Sequence, residues 1–351
     1  MSANPDIITR AEARRLTDFL IRDDMPDSRW ILEGAFRWDD SLCDLHRQLE
    51  RMGAPRGITQ FAGAPPCLWS LDWHQPRAPY SLGRADALIR QYASLRRGLT
   101  LIFDRPRLSE ADLEDPYGMR LVELLLQADP QRNAVCVAHD ELARRLRSRF
   151  PNLHLICHVN RLVAETGKRG PELYERLGQL YHRTMLHPDD ALRPALVQNL
   201  SRRQRLDVVV NDPCLRHCSV RRDHMNLLAA RRARPCDMLL AEQVKRLCDR
   251  AGCLASSAGA PLPVGECRYN FLTREDSRRL YDAGIRCFHV QAQPYRNELT
   301  LLWDFLHCLF DERPEYSHYR AAITTSVLSA IHRHRATLPS GLGHFSSSLP
   351  E

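Results

Sequence analysis

Short apolar segments alternate with helical patterns along most of this chain, and this alternation restricts the fold more than any other feature. Seven of the segments predict buried strands: GITQFAG (57–63), LTLIFD (99–104), NAVCVA (133–138), LHLICH (153–158), TMLH (184–187), DVVV (207–210) and IRCFHVQ (285–291). Helical patterns separate them, as in parallel βαβ units. With an eighth strand expected between Cys236 and Cys267, the sequence predicts a (β/α)₈ TIM-like barrel. A doubly wound open sheet is the alternative.

The regions outside this alternation predict two further parts. Residues 1–56 contain two amphipathic helical patterns, Thr9 to Arg22 and Ser41 to Met52, and therefore predict an N-terminal helical extension. The barrel is predicted to span residues 57–312. Residues 313–351 predict a last helix and a polar tail that we expect to be disordered.

The formal net charge of +7 would by itself suit a nucleic-acid partner. The positive charge is nearly all arginine, and it is mixed with acidic residues along many helices. That distribution predicts a solvated surface and no nucleic-acid partner. Lysine occurs only at Lys168 and Lys245, neither of which follows a predicted strand, so the sequence gives no support to Schiff-base chemistry.

The hydropathy pattern predicts a protein without a membrane segment. The first residues, MSANPDIITRAEARR, are polar and do not resemble a signal peptide. No apolar run reaches the length of about 18 residues that a membrane-spanning helix needs. We therefore expect a cytoplasmic protein with no membrane partner.

Polar and titratable side chains follow one predicted strand after another. They are Asp104 and Arg105, His139 and Asp140, His158 and Asn160, His187 and Asp189, Asn211 and Asp212, and Gln291 and Gln293. Barrel enzymes place their sites at the carboxyl ends of the strands, and histidine titrates near physiological pH. The sequence thus predicts a polar pocket with five candidate catalytic residues, His139, His158, His187, Asp189 and Asn211.

The chain contains 12 cysteines, which is many for a cytoplasmic protein. In a reducing compartment, clustered cysteines indicate metal binding or redox chemistry rather than disulfides. Cys214 and Cys218 come directly after the strand 207–210 and a polar Asn-Asp-Pro turn. Their CxxxC spacing also begins the radical-SAM motif, but Arg221 stands where the third cysteine of that motif would be. The radical-SAM class is therefore excluded.

Two later cysteines complete a candidate ligand set. Cys236 and Cys267 both lie in turn-like contexts, Arg-Pro-Cys-Asp and Gly-Glu-Cys-Arg. Four thiolates on loops suit a [4Fe–4S] cluster or a structural Zn²⁺ ion, because both accept four-cysteine ligation. The predicted metal ligands are Cys214, Cys218, Cys236 and Cys267. Cys248 and Cys253 compete for the two later positions, and a cysteine-rich loop without metal remains open.

The segment RLDVVVNDPCLRHCSVRRDH (205–224) resembles the collagenase-like (U32) peptidase superfamily. This TIM-barrel group includes the UbiU and UbiV proteins of oxygen-independent ubiquinone synthesis. The residues that carry the resemblance are Asn211, Cys214, Cys218, Arg221 or Arg222, and His224, with Cys236 and Cys267 as the downstream pair. GIRCFHVQAQ (284–293) resembles the closing strand of the family, although Ala292 and Gln293 replace a frequent Gly-Arg pair.

This resemblance implies a barrel that holds an iron–sulfur cluster on four cysteines, with Arg221, Arg222 and His224 around it. The implied activity is an oxidoreductase reaction, an oxygen-independent, hydroxylation-like modification of a small-molecule substrate. An electron-donor protein or a paralogous subunit would be the protein partner. The peptidase name suggests a hydrolase, but the sequence contains no nucleophile elbow and no HExxH motif.

Two other classes of function remain open. A divalent-metal barrel would use the strand-end residues His139, His158, His187 and Asp189 for hydrolysis, isomerisation or a lyase reaction. A non-enzymatic binding scaffold would use the cysteines only to hold a structural zinc ion. The divalent-metal barrel would keep its activity without Cys214 and Cys218, whereas the scaffold would unfold without them.

Overall fold

The computed structural model describes residues 24–51, 58–71, 81–165, 169–230, 238–252, 269–292 and 298–309, with 321, 324, 325, 328 and 329. These residues belong to two compact units. The barrel unit comprises Asp23–Asp39 and Arg56–Arg296. The helical unit comprises Met1–Arg22, Asp40–Pro55 and Asn297–Glu351.

The described residues of the barrel unit form ten strands. They are β1 (Arg29–Glu33), β2 (Gln60–Gly63), β3 (Gly98–Phe103), β4 (Ala134–Val137), β5 (Leu155–Cys157), β6 (Arg183–Met185), β7 (Leu206–Val209), β8 (Asn211–Leu215), β9 (Tyr269–Phe271) and β10 (Cys287–Val290). Eight of them close a barrel in the order β1-β10-β7-β6-β5-β4-β3-β2. Each neighbouring pair is parallel, with β1 pairing β10 on one side and β2 on the other. The predicted TIM-like barrel is confirmed, and its closure excludes the open sheet.

Helices follow most of the barrel strands. They are α1 (Asp39–Arg51), α2 (Leu82–Ser94), α3 (Glu110–Leu113), α4 (Pro116–Ala128), α5 (Asp140–Arg149), α6 (Val159–Val163), α7 (Pro171–Leu180), α8 (Pro188–Ala191), α9 (Pro194–Asn199), α10 (Arg221–Ala230), α11 (Met238–Arg250), α12 (Arg274–Asp282) and α13 (Glu298–Leu309). In the described residues no helix combines the length and the apolar composition needed to cross a bilayer.

All seven predicted strands are present, but the eighth barrel strand was placed wrongly. It is β1, which lies inside the region 1–56 that the sequence assigned to a helical extension. The described part of the segment where we expected it, residues 238–252, is helix α11 and a turn. In β1, a single run of buried residues follows polar residues, so no alternation signalled the strand. The second predicted helix of the extension is confirmed as α1, and the pattern Thr9 to Arg22 lies outside the described residues.

The barrel interior is filled by side chains from alternate strand positions, as the pleat requires. Its apolar cluster includes Ile31, Ile102, Ile156, Met185 and Val209. Helix α10 adds two further members to this cluster, Met225 and Ala229. Because α10 follows the carboxyl end of β7, these side chains cover the interior at the end of the barrel where sites are usually found.

Strands β8 and β9 form a separate antiparallel pair just beyond β7. The pairing joins Asn211 to Phe271 and is irregular between Asp212 and Leu215. Leu272 N–H also donates to the carbonyl of Val210, at 2.8 Å. The first candidate cysteine, Cys214, therefore lies on a strand that is held at the carboxyl end of the barrel.

Candidate functional site at the carboxyl ends of the strands

The three strand-end histidines cap the helices that follow them. Each accepts, at Nδ1, a backbone N–H two or three residues further along the chain. The distances are 3.4 Å for His139, 3.2 Å for His158 and 3.2 Å for His187. A ring that accepts at Nδ1 is neutral and carries its proton on Nε2. The repeated histidines thus have a structural cause, which is the need of each helix for an N-cap.

The surroundings of His187 lower its pKa, so that its ring is neutral near pH 7 and does not act as an acid there. Burial, together with the positive charges of Arg221 and Arg169, lowers the pKa of His187 to about 2. Burial also lowers the pKa of the half-buried His139. The sequence had suggested that these histidines titrate near working pH, and for His187 that expectation is wrong because its burial was not foreseen.

The strand-end residues do not assemble a metal site in the part of the chain that the structure describes. No three of His139, His158, His187 and Asp189 bring ligand atoms within 4.8 Å of one another. His187 Nδ1 lies 3.7 Å from Asp189 Oδ2. The divalent-metal alternative is therefore without a ligand set at the residues that the sequence proposed for it.

Asn211 joins the ends of two barrel strands. Its amide nitrogen donates to the carbonyl of Gln291 at 2.9 Å, and its amide oxygen accepts the Gln291 N–H at 2.7 Å. Asn211 is 3% exposed. Both polar groups of this side chain thus take part in a clamp between the start of β8 and the end of β10, which is a structural reason for an asparagine at this position.

The backbone around the cysteine pair is fixed by hydrogen bonds. The carboxylate of Asp212 accepts the Cys214 N–H at 2.8 Å. The carbonyl of Leu215 accepts both the Cys218 N–H at 3.3 Å and the side-chain amide of Asn270 at 3.2 Å. We call residues 212–221 the cysteine loop.

Asp189 holds the middle of the cysteine loop. His217 has a φ of 54°, in the left-handed region that non-glycine residues seldom adopt. The carboxylate of Asp189 accepts the His217 N–H at 2.9 Å. The structure thus gives Asp189, which the sequence placed among the catalytic residues, the contacts of a positioning residue.

The two candidate arginines of the cysteine loop differ in burial and in contacts. Arg221 is 5% exposed and donates from Nη2 to the carbonyl of Leu215 at 2.8 Å. Its Nη2 lies 3.8 Å from Asp189 Oδ1, and its Nη1 lies 3.9 Å from Asp212 Oδ2. Arg222 is exposed to solvent. Of the two, only Arg221 is placed to act on a group inside the loop.

The remaining candidates of the cysteine segment divide between described and undescribed residues. His224 is half-buried, with Nδ1 3.5 Å from the sulfur of Cys248, and burial lowers the pKa of His224. Cys248 itself is 3% exposed on α11. Cys236, Cys253 and Cys267 lie outside the described residues, so their assignment as metal ligands stays a prediction.

A second polar cluster, inside the barrel, was missed by the sequence analysis. Asp207, Cys287 and His289 are all fully buried and bring three ligand atoms within 4.8 Å of one another. His289 Nε2 lies 2.9 Å from Asp207 Oδ2. An Asp/Cys/His group of this kind could hold a metal ion. In the sequence, this cluster appears as polar or sulfur-bearing residues at inward positions of two otherwise apolar strands.

Arg183 completes this cluster and compensates its charge. Its Nη1 donates to the sulfur of Cys287 at 2.7 Å and lies 3.5 Å from Asp207 Oδ2. Burial alone would raise the pKa of Asp207, but Arg183 and His289 outweigh it and hold the pKa below its ordinary value. A metal ion would have to bind beside this guanidinium. The arrangement therefore resembles a buried ion network more than a vacant metal centre.

We expect the free energy of unfolding to fall as the pH rises from about 6.5 to about 9. Burial would lower the pKa of His289, but hydrogen bonds to Asp207 and Cys287 overcome it and raise the pKa to about 9. The unfolded chain has a pKa of about 6.5, so the stabilisation is complete below that pH and is lost as the pH rises through the folded value. The expected loss is about 3 kcal/mol.

Denaturant titrations at a series of pH values test this expectation. The variant His289→Gln serves as the control, because it lacks the titrating group and should show a weaker dependence over the same range. Equal slopes for the wild type and the variant would contradict the protonated state of His289.

Comparisons with known proteins add a likeness of fold. A solved structure described as "The Structure of the U32 Peptidase Mk0906" aligns with 76% of this chain and 94% of its own, at 14% sequence identity and a TM-score of 0.45. No residue role is transferred from it. No family model matches the sequence. No curated protein matches it either.

Together, the described contacts leave the cysteine loop as the strongest candidate site. The strand-end histidines cap helices, and Asn211 clamps two strands. The Asp/Cys/His cluster is fully enclosed and neutralised by Arg183. The loop, in contrast, presents two half-buried cysteines beside a buried arginine at the carboxyl end of the barrel.

Proposed function

We propose that this protein is a barrel enzyme that holds a [4Fe–4S] cluster on its cysteine loop and carries out an oxygen-independent redox reaction on a small molecule. The ligands would be Cys214, Cys218, Cys236 and Cys267. The observation that carries the proposal is that hydrogen bonds to Asp212 and Asp189 hold the loop in place before any metal binds. A metal loop fixed in this way holds its thiols in place at a low cost in conformational entropy.

The residues at the two described positions suit such a group. Both cysteines are only partly buried, so their sulfurs are not consumed as core filling. The charges of Asp212, Cys214, Asp189 and Cys218 oppose the effect of burial on Arg221 and raise its pKa. Arg221 thus places a positive charge within electrostatic reach of both sulfurs, where it would attract an anionic metal centre.

When bound, a cluster would supply single electrons. The protein's own residues would fix the loop through Asp189 and Asp212, and Arg221 would offset its negative charge. By the implied chemistry, an electron-donor protein or a paralogous subunit would deliver the electrons. His158 and Asn160 follow β5 and are both buried at that end of the barrel, and we propose them as the polar groups that a substrate would meet.

One observation favours a second candidate, the zinc-stapled binding scaffold. Met225 and Ala229 of α10 pack into the apolar cluster of the barrel interior. The cavity beside Glu33 and Ala292 has a volume of about 10 Å³. That volume holds about one water molecule. A metabolite would not fit in this cavity, whereas a scaffold needs no cavity.

Metal analysis of four cysteine variants tests where the metal is held. We expect Cys214→Ser and Cys218→Ser to lose the metal that the wild type carries after anaerobic purification. Cys67→Ser is the matched control, because burial raises the pKa of Cys67 to about 12 and keeps its thiol protonated. It should retain the metal in full.

The fourth variant, Cys287→Ser, tests the competing cluster inside the barrel. If that variant loses the metal while Cys214→Ser and Cys218→Ser keep it, the metal lies in the barrel interior and the proposal is wrong. Circular dichroism of each variant would confirm that it is folded before its metal content is compared. Iron and zinc are measured together, because zinc in place of iron would favour the scaffold.

A further inference from the structure

We propose that Arg221 donates hydrogen bonds to the sulfur atoms of the metal centre on the cysteine loop and thereby sets its affinity and its redox properties. This inference rests on the proposed function, since it requires a metal at Cys214 and Cys218. It goes beyond that function because it names the residue that stabilises the centre's negative charge.

Two N–H donor groups of the Arg221 side chain are not used by the described residues. Nε and Nη1 are buried and have no hydrogen-bond partner among the residues that the structure describes. A buried donor left without an acceptor costs about 1–3 kcal/mol, and more when it is charged. A guanidinium kept in this state indicates that an acceptor binds to it under working conditions.

The second step is that the neighbouring carboxylates do not use these donors. Asp189 and Asp212 lie 3.8 Å and 3.9 Å from the guanidinium, which is beyond hydrogen-bond distance. Each accepts a backbone N–H of the cysteine loop instead, from His217 and Cys214 respectively. The carboxylates therefore orient the arginine and the loop but leave Nε and Nη1 available.

The third step concerns where the guanidinium is anchored. Nη2 donates to the carbonyl of Leu215, the residue directly after Cys214 and three before Cys218. The Arg221 backbone N–H donates to the carbonyl of Cys218 at 3.3 Å. The arginine is thus bound to the loop next to both cysteines. Its remaining donors therefore lie near the sulfurs and near any metal centre that the sulfurs bind.

The consequence is electrostatic. Thiolates bound to a metal, or the sulfides of a cluster, are anionic acceptors in a partly buried site, where a charge-assisted hydrogen bond is stronger than a neutral one. Removing such an outer-shell donor typically costs 10- to 100-fold in metal affinity. Reduction adds negative charge, so the loss of Arg221 would also make a cluster harder to reduce.

The test compares Arg221→Gln with Arg144→Gln, an arginine exposed to solvent on α5. Zn²⁺ is titrated into the metal-free proteins in competition with a coloured chelator, since cysteine thiolates bind zinc as well as iron. We expect Arg221→Gln to bind Zn²⁺ about 10- to 100-fold more weakly than the wild type. Arg144→Gln should bind like the wild type.

Arg221→Lys separates charge from hydrogen-bonding geometry and guards against misfolding of the glutamine variant. Lysine keeps the positive charge but lacks the planar set of N–H donors, so we expect an intermediate affinity. In protein reconstituted with iron and sulfide, the reduction potential should move to more negative values in the order wild type, Arg221→Lys, Arg221→Gln.

Two results would overturn the inference in distinguishable ways. If the wild type binds metal through Cys214 and Cys218 but Arg221→Gln matches it in affinity and potential, the role of Arg221 is wrong and the proposed function stands. If the wild-type metal-free protein binds no Zn²⁺ at the cysteine loop, both the proposed function and this inference fall together.

Discussion

Replacing Asp207 by asparagine is expected to lower the free energy of unfolding by about 3–5 kcal/mol. The substitution keeps the shape of the side chain and removes its charge. Arg183 then remains in the barrel interior, buried and 3.5 Å from the position of its former counter-charge. Removing one partner of a buried ion pair is costly because the other cannot recover its hydration.

Chemical denaturation measures this loss, and a second variant shows its origin. Glu141→Gln removes an exposed carboxylate that also pairs with an arginine, Arg144 at 2.8 Å, and should leave the free energy of unfolding almost unchanged. The double variant Arg183→Met/Asp207→Asn should lose less than the sum of its single variants. A loss in Asp207→Asn no larger than in Glu141→Gln would contradict the buried ion network.

Replacing Asn211 by alanine is expected to cost about 2–4 kcal/mol of stability. The amide of Asn211 satisfies both the N–H and the carbonyl of Gln291, and alanine leaves both groups buried without a partner. The loss would be measured by chemical denaturation of the metal-free protein, so that any effect on a bound cofactor is excluded.

The control for Asn211 is an asparagine without this environment. Asn152 is exposed on the surface, and Asn152→Ala should change stability by no more than about 0.5 kcal/mol. If Asn211→Ala proves as stable as the wild type, the strand clamp is not what retains this asparagine, and a role in the chemistry would regain support.

Most of the barrel could be predicted from the sequence, because its strands are short apolar segments separated by amphipathic helices. Periodicity identifies such segments without any knowledge of their partners. The strand β1 escaped this reasoning. Its five residues, RWILE, stand between polar segments and are followed by a clear helical pattern, so only its pairing with β10 and β2 reveals it.

The location of the candidate site could be predicted from the sequence. The roles of the individual residues could not. The polar residues after the strands were found correctly, but sequence cannot tell a histidine that caps a helix from one that transfers protons. That difference lies in a hydrogen bond to a local backbone N–H. In the same way, the choice between Arg221 and Arg222 depends on which side of α10 faces the barrel, and two adjacent positions give no signal.

The buried ion network could not be predicted because its members are far apart in the chain. Arg183 and Cys287 contact each other only when β6, β7 and β10 lie side by side in the sheet. In sequence, each appears as one polar or sulfur-bearing residue in an apolar run. Their inward direction follows from the strand pleat, but their mutual distance follows from the shear of the barrel.

The most direct test of the central claim is the anaerobic purification of the wild-type protein with an absorbance spectrum and iron, sulfide and zinc analysis. We predict a brown protein with about four iron and four sulfide ions per chain, as a [4Fe–4S] cluster requires. A colourless protein that takes up no iron even after anaerobic reconstitution would contradict the cluster. Stoichiometric zinc in that colourless protein would identify the cysteine loop as a structural staple.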